Sequence, residues 1–382
     1  MQKISIDEFI AMKGKYPLVD VRSPAEYSHA HVPGAYNVPL FSDDERAVVG
    51  TLYKQQGREQ AIKQGLKYFG PKMVGIIEEA EQISRGHEAG SAQKTVLLYC
   101  WRGGMRSAGV AWLLDLYGFK VYVLEGGYKA FRNWALQQFG KNYCFNVLSG
   151  YTGSGKTMIL KELEQAGHKI LDLEEIANHK GSAFGGFCGA QPTQEMFENE
   201  LGLRLFRLKM ERALDEHIWV EDESRRIGLV NIPNDLFARM QMSCVFILTV
   251  PFEERLKYIV VEYGDIAPDQ LEAAIRRIRK RLGGLETRNA INHLSEGNIT
   301  ECFRILLKYY DRQYDKGMAA HRQSYSREVN ENVYLRSATH TASIIQVLKG
   351  DPLFFPKFTI TEVNCENIDA EYNMKALIAK NL

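Results

Sequence analysis

Short apolar runs broken by longer amphipathic stretches set the rhythm of the first part of the chain. YPLVDVRS reads as a buried strand ending in charge. VLLYC and KVYVLEGGY read as two more, the last closed by a glycine turn. After the first strand, PAEYSHAHVPGAYNVPL is turn-rich, and the spacing predicts helices from about Asp43 to Ser84. RGHEAGSAQKT is a polar loop, and SAGVAWLLDLYGF predicts a helix after the second strand. Near Gly140 a second series begins, in which FNVLS, HKILDL, HIWVEDES and CVFILTVP are apolar runs separated by helical segments. Strands alternating with helices predict mainly parallel α/β sheets in both parts. From about Pro268 the pattern is mainly helical and strongly charged, and the closing stretch with DPLFFPKFTITEV has no clear period. Three segments follow from this: a domain over residues 1–138, a second over 139–310, and a helical C-terminal extension over 311–382, packed on the second domain.

Composition narrows the classes. A chain of 382 residues exceeds one ordinary core, so two domains are expected. The formal net charge of +1 lends no overall support to a nucleic-acid partner, which would need a local basic face. Six scattered cysteines without a CxxC pair argue against a zinc site or a disulfide framework, and for a reducing compartment. The N-terminus lacks an apolar signal core and no stretch approaches eighteen apolar residues. The expectation is a cytoplasmic protein with no membrane contact; protein partners are not indicated.

Two loops carry chemistry. In VLLYCWRGGMRSAGVAWLL, Cys100 ends a strand, and Gly103 and Gly104 permit a tight curl before the helix. Backbone N–H groups and the positive end of the helix converge there, which favours a thiolate. Arg102 and Arg106 add positive charge for whatever anion the loop holds. A buried structural cysteine is the commoner fate of this residue type, but the Gly-Gly-x-Arg context points to a nucleophile. The second loop, GYTGSGKT, matches G-x-x-x-x-G-K-[ST] between a strand and a helix. Gly150, Gly153, Ser154, Gly155, Lys156 and Thr157 are therefore expected to hold a diphosphate or triphosphate, with Mg2+ on Thr157 an open option. In HIWVEDESRRIG, Glu221 or Asp222 is the candidate carboxylate on the magnesium side, or a support for the loop; a solvated loop is the alternative. No tightly bound cofactor or metal site is otherwise indicated. Arg276, Arg277, Arg279, Lys280 and Arg281 crowd five cations into six residues and are candidates for an RNA backbone, against the plainer reading of a charged helix face. Trp101 is open as a base-stacking surface or as core. DLEEIANHKGSAFGGF places glycines in a loop that could close over a substrate.

Family resemblances sharpen these readings. LVDVRSPAEYSHAHVPGAYNVPL, the cysteine loop and VYVLEGGYKAF resemble the rhodanese family over roughly residues 1–138. The stretch from Cys100 to Arg106 spells C-x5-R, one residue longer than in most sulfurtransferase rhodaneses, and resembles the phosphatase branch of that fold. Asp20 and Arg22 occupy the D-x-R of rhodaneses and are read as a structural ion pair supporting the loop, with a catalytic role as the alternative. CVFILTVPFEERLKYIV and the arginine-rich run resemble small-molecule P-loop kinases. A rhodanese-like domain followed by a P-loop domain, with CWRGGMRS, GYTGSGKT and WVEDESRRIG in that order, resembles the tRNA 2-selenouridine synthase family.

That resemblance implies replacement of sulfur by selenium in wobble 2-thiouridine of a tRNA anticodon stem-loop. It implies an S-geranylated intermediate made from geranyl diphosphate, and selenophosphate as selenium donor. Cys100 would then take up selenium, Arg102 and Arg106 would hold the released phosphate, and the P-loop would grip a prenyl diphosphate. The Phe184, Phe187 and Met196 region is the candidate apolar wall for the prenyl tail. The competing reading is a small-molecule P-loop kinase with a regulatory rhodanese-like or phosphatase-like domain.

Overall fold

The structure is a computed structural model and describes residues 1–86, 94–180, 189–211, 213, 216–325 and 359–363. The chain divides into two compact units, Met1–Lys141 with Pro192–Arg204, and Asn142–Gln191 with Leu205–Leu382. Both are α/β.

In the first unit, β1 (Gln2–Ile4), β2 (Leu18–Asp20), β3 (Tyr36–Asn37), β4 (Thr95–Tyr99) and β5 (Lys120–Leu124) form an all-parallel sheet in the order β1-β5-β4-β2-β3. The helices are α1 (Ile6–Met12), α2 (Pro24–His29), α3 (Asp43–Gln55), α4 (Arg58–Phe69), α5 (Met73–Arg85), α6 (Met105–Tyr117) and α7 (Gly127–Gln138). Every residue of β4 is buried, as its unbroken apolar run requires of a central parallel strand. Val96 and Leu98 of β4 share a core with Val110 and Leu114 of α6 and with Phe69 and Ile76 from the α4–α5 region. Reciprocal capping boxes, Ser5 with Glu8 and Ser42 with Glu45, fix the starts of α1 and α3.

In the second unit, β6 (Phe145–Gly150), β7 (Lys169–Leu171), β8 (Ile218–Glu221) and β11 (Cys244–Thr249) are mutually parallel. A fifth strand, β12 (Thr359–Val363), pairs antiparallel with β11, giving the order β12-β11-β6-β8-β7. A two-stranded hairpin, β9 (Arg226–Ile227) with β10 (Val230–Asn231), follows β8. The helices are α8 (Lys156–Gln165), α9 (Leu173–Ala177), α10 (Gln194–Met210), α11 (Asn234–Gln241), α12 (Phe252–Tyr263), α13 (Pro268–Arg277), α14 (Arg279–Leu282), α15 (Gly284–Ser295) and α16 (Ile299–Tyr325). The first part of α10, through Arg204, groups with the first unit.

Two expectations need correction. The extension over 311–382 is not wholly helical: α16 runs across its expected start, and 359–363 adds a strand to the sheet. Thr-Ile-Thr-Glu-Val is rich in β-branched residues, but five residues without strict alternation are too short to separate from noise by period alone. The arginine-rich run is likewise not one helix. Ile278 separates α13 from α14, and Gly283, at φ 102°, ends the second.

Candidate active sites

In the first unit, Cys100 sits at the C-terminal end of β4 and is 3% exposed. Its Sγ lies 3.1 Å from the Ser107 hydroxyl, which donates to the Gly104 carbonyl at 3.0 Å. Ser107, in the first turn of α6, is a partner the motif reading missed. The loop is clamped from behind. The Tyr128 and Lys129 amides donate to the carbonyls of Cys100 (2.8 Å) and Trp101 (3.1 Å). Gly127, at φ 60°, approaches so closely that a Cβ there would lie 2.3 Å from the Cys100 carbonyl oxygen. Gly127 is thus demanded by backbone packing on the cysteine loop, whereas a Cβ at Gly126, at φ 74°, would meet the Ala130 methyl at 2.9 Å.

The two loop arginines part company. Arg102 is exposed and has no hydrogen-bond or ion-pair partner among the described residues. Arg106 is committed to Glu26, 2.6 Å from Nη1 to Oε2, and Glu26 also meets Arg46 at 3.4 Å. Burial raises the Glu26 pKa, but the Arg106 hydrogen bond and charge outweigh it and hold the carboxyl below its usual range. Asp20 and Arg22 form a buried pair, Nη2 to Oδ2 at 2.6 Å, and Arg22 also donates to the Ala30 carbonyl. The Arg22 guanidinium lies 4.0 Å from the Tyr128 ring centroid. Trp101 is 38% exposed, with its ring 5.6 Å from that of Tyr128, so it is a surface residue and not core.

Tyr128 is in turn held by a segment far along the chain. Its hydroxyl donates to Glu195 at 2.6 Å and accepts from Asn199 at 2.8 Å. Asn199, fully buried, also donates to the His31 carbonyl and accepts from Arg132. Met196 lies in this same segment, while Phe184 and Phe187, with Gly181, Gly185 and Gly186, lie outside the described residues.

In the second unit, β6 occupies the middle of the sheet and its C-terminal end leads into the Gly150–Thr157 loop and α8, a usual ligand position in open parallel sheets. Gly153, at φ 77°, packs on α12: a Cβ there would lie 2.7 Å from Ile259. The Ser154 hydroxyl is buried and has no hydrogen-bond partner among the described residues, a donor suited to an anion's oxygen. Lys156 Nζ donates to the Gly150 carbonyl at 2.9 Å and lies 3.3 Å from Glu221 Oε1. Thr157 Oγ1 donates to Glu221 Oε2 at 3.2 Å.

Of the two adjacent carboxylates, Glu221 therefore faces the loop's lysine and threonine. Asp222 instead accepts from Ser149, whose hydroxyl also meets Tyr314 at 2.8 Å. α12 and α16 brace the loop: Arg255 donates bidentately to Asp311 at 2.8 Å and also to the Thr152 carbonyl.

Two further glutamates complete the site. Carboxylate oxygens of Glu174, Glu221 and Glu223 lie within 4.8 Å of one another. Burial, then the charges of Glu221 and Asp172, push the Glu174 carboxyl up to about 8. Burial and the charges of Glu221 and Glu174 push Glu223 well above the usual carboxylate range. For Lys156, burial disfavours the charge, but Glu221 and Glu223 outweigh it and raise its pKa. Nothing local in the sequence marks Glu174 or Glu223; it is the fold that brings them to Glu221.

The five clustered cations are all exposed at the end of α13 and on α14, with Arg276 paired to Glu272 at 2.6 Å. Leu271, Ala274, Ile275 and Leu282 on these helices join a core with α15 and α16, which leaves the cationic side to solvent. Among the described residues, no helix is long and apolar enough to cross a membrane.

Comparison with known proteins agrees with this two-part layout. Residues 5–134 match the rhodanese-like domain model, and residues 144–340 match the model described as the tRNA 2-selenouridine synthase AAA domain. A tRNA 2-selenouridine synthase of Shewanella denitrificans is 35% identical over 340 residues, covering 80% of this chain and 89% of that one. Those of Sulfurovum sp. (35% over 331 residues, 78% and 88%) and Nitrosomonas europaea (37% over 265 residues, 68% and 67%) are similar in extent.

Proposed function

The chain belongs to the tRNA 2-selenouridine synthase family, and from that premise we propose that it replaces the sulfur of wobble 2-thiouridine by selenium through an S-geranylated base. The observation that supports this reading is the presence in one chain of two different strand-to-helix loops, one ending in Lys156 and Thr157 and one built around Cys100.

In the first step the C2 sulfur attacks C1 of geranyl diphosphate, the C–O bond breaks, diphosphate departs and the base loses its N3 proton. Alkylation turns a poor leaving group into a good one. The amides of residues 153–157 and the Lys156 ammonium neutralise the departing diphosphate. Glu174, Glu221 and Glu223, with the Thr157 hydroxyl, offer only oxygen donors within a small radius, the set a hard cation such as Mg2+ prefers. Such an ion, when bound, would add charge neutralisation at the diphosphate.

In the second step selenide-level selenium from selenophosphate displaces the geranyl thiol: the C2–Se bond forms, the C2–S bond breaks, and water takes up the phosphoryl group as the P–Se bond breaks, releasing phosphate. Cys100 handles the selenium that selenophosphate supplies, Arg102 meets the incoming anion from solvent, and Arg106, tied to Glu26, shapes the loop. Trp101, partly exposed beside the cysteine, is the stacking surface for the splayed base of the anticodon stem-loop. The working compartment is the cytoplasm.

Mass spectrometry of nucleosides from thiolated tRNA incubated with geranyl diphosphate and selenophosphate tests the whole sequence. Cys100→Ala should stop at the geranylated nucleoside, while Lys156→Ala should form none yet still convert pre-geranylated tRNA. Phosphoryl transfer from ATP that proceeds without tRNA would instead make the second unit a kinase.

A further inference from the structure

We propose that the α3–α4 hairpin of the first unit is an RNA-backbone-binding surface, a contact additional to the α13–α14 cations. The inference rests on the tRNA reading above. Between β3 and β4 a single crossover helix would serve the sheet, yet the chain supplies three, and α3 packs chiefly against α4. From Thr51 to Lys72 the sequence TLYKQQGREQAIKQGLKYFGPK carries five cations and one carboxylate, in a chain whose net charge is +1.

The structure shows which of these are committed. Lys72 pairs with Glu45, and nearby Arg46, Arg85 and Lys94 also have carboxylate partners. Lys54, Arg58, Lys63 and Lys67 are exposed and, among the described residues, have no ion-pair partner. Four uncompensated cations on one hairpin repel one another, a cost that an anionic ligand removes.

Their setting selects the ligand. α4 turns Ala61, Gly65 and Phe69 inward, leaving Gln60, Lys63, Gln64 and Lys67 along its other side. These four and Leu66 border a groove of about 460 Å³ shared with Leu52 of α3 and with Gln56, which caps that helix. Lys63 and Lys67 stand one turn apart, a rise of ~6 Å, which suits successive phosphates of a backbone. The glutamine amides offer both donors and acceptors for phosphate and ribose hydroxyls. Tyr53, 53% exposed on α3, adds a face for an unpaired base. An acidic peptide could meet the cations and the amides but supplies no nucleobase to stack on the Tyr53 ring.

The test compares the full chain with a Lys54→Gln, Arg58→Gln, Lys63→Gln, Lys67→Gln variant in binding a fluorescein-labelled tRNA transcript across a salt series. Loss of about three phosphate contacts should lower the log–log salt slope by about 2–3 and the affinity roughly tenfold or more at low salt. Equal slope and affinity would overturn the proposal while leaving the tRNA reading standing. A wild-type chain that binds no tRNA would overturn both. Competition by poly-glutamate as effective as RNA of equal charge would also overturn it, in favour of an acidic protein. Should the fourfold variant melt early, the Lys63→Gln, Lys67→Gln pair decides by the same readout.

Discussion

Lys156 and Glu221 face each other across 3.3 Å, each side chain only 12% exposed, so the phosphate loop's ammonium is balanced from within. An arriving diphosphate must compete with that carboxylate. Glu221→Gln should therefore bind inorganic pyrophosphate more tightly than the parent when no divalent cation is added, as read by calorimetry. Lys156→Ala should weaken that binding and slow the diphosphate-releasing step by about 100-fold or more.

The glutamates around that pair predict a pH dependence. Glu174 has a folded pKa of about 8, above its ordinary 4.5, so folding favours the protonated carboxyl. Its contribution to stability is fully present below about pH 4.5 and is lost as pH rises through 8. Glu174→Gln should match the parent in denaturant melts at pH 4. At pH 8.5 it should be the more stable, by up to about 4–5 kcal/mol.

At the cysteine loop, neighbouring glycines are expected to behave differently. Gly127→Ala places a methyl 2.3 Å from the Cys100 carbonyl oxygen in a left-handed backbone, whereas a Cβ at Gly104 meets nothing within 4 Å. The first should cost about 2–4 kcal/mol and abolish Cys100 alkylation at the native rate. The second should leave the fold's melting temperature nearly unchanged.

The Glu195–Tyr128 hydrogen bond, 2.6 Å long, ties a late segment to the residue whose amide holds the Cys100 carbonyl. Tyr128→Phe or Glu195→Ala should destabilise the first unit by about 1–2 kcal/mol. Both should slow selenium incorporation into pre-geranylated tRNA while leaving geranylation intact. Equal losses in the two steps would argue against a role confined to the loop.

The cations of α13 and α14 predict a salt effect. Replacing Arg279, Lys280 and Arg281 by Glu should weaken tRNA binding and lower its log–log salt slope by about 2–3, measured by fluorescence anisotropy. An unchanged slope would leave these side chains as a solvated face.

Contiguous chemistry was legible before any coordinates. CWRGGMRS places a cysteine, two glycines and two arginines within eight residues, and GYTGSGKT places three glycines, a lysine and two threonines. The apolar runs around them read as parallel strands because central strands are buried on both faces. Such features depend on interactions between residues close in sequence, so local pattern determines them. Tertiary structure alone decided the rest. It set Glu221 rather than Asp222 against Lys156, brought Glu174 and Glu223 beside it, and withdrew Arg106 onto Glu26 while leaving Arg102 in solvent. It also laid Glu195 and Asn199 on Tyr128 and ran a strand from the C-terminal segment along β11. Glu223 apart, which stands two residues from Glu221, these partners lie far apart in sequence, and what joins them is the packing of whole elements, which no local period records.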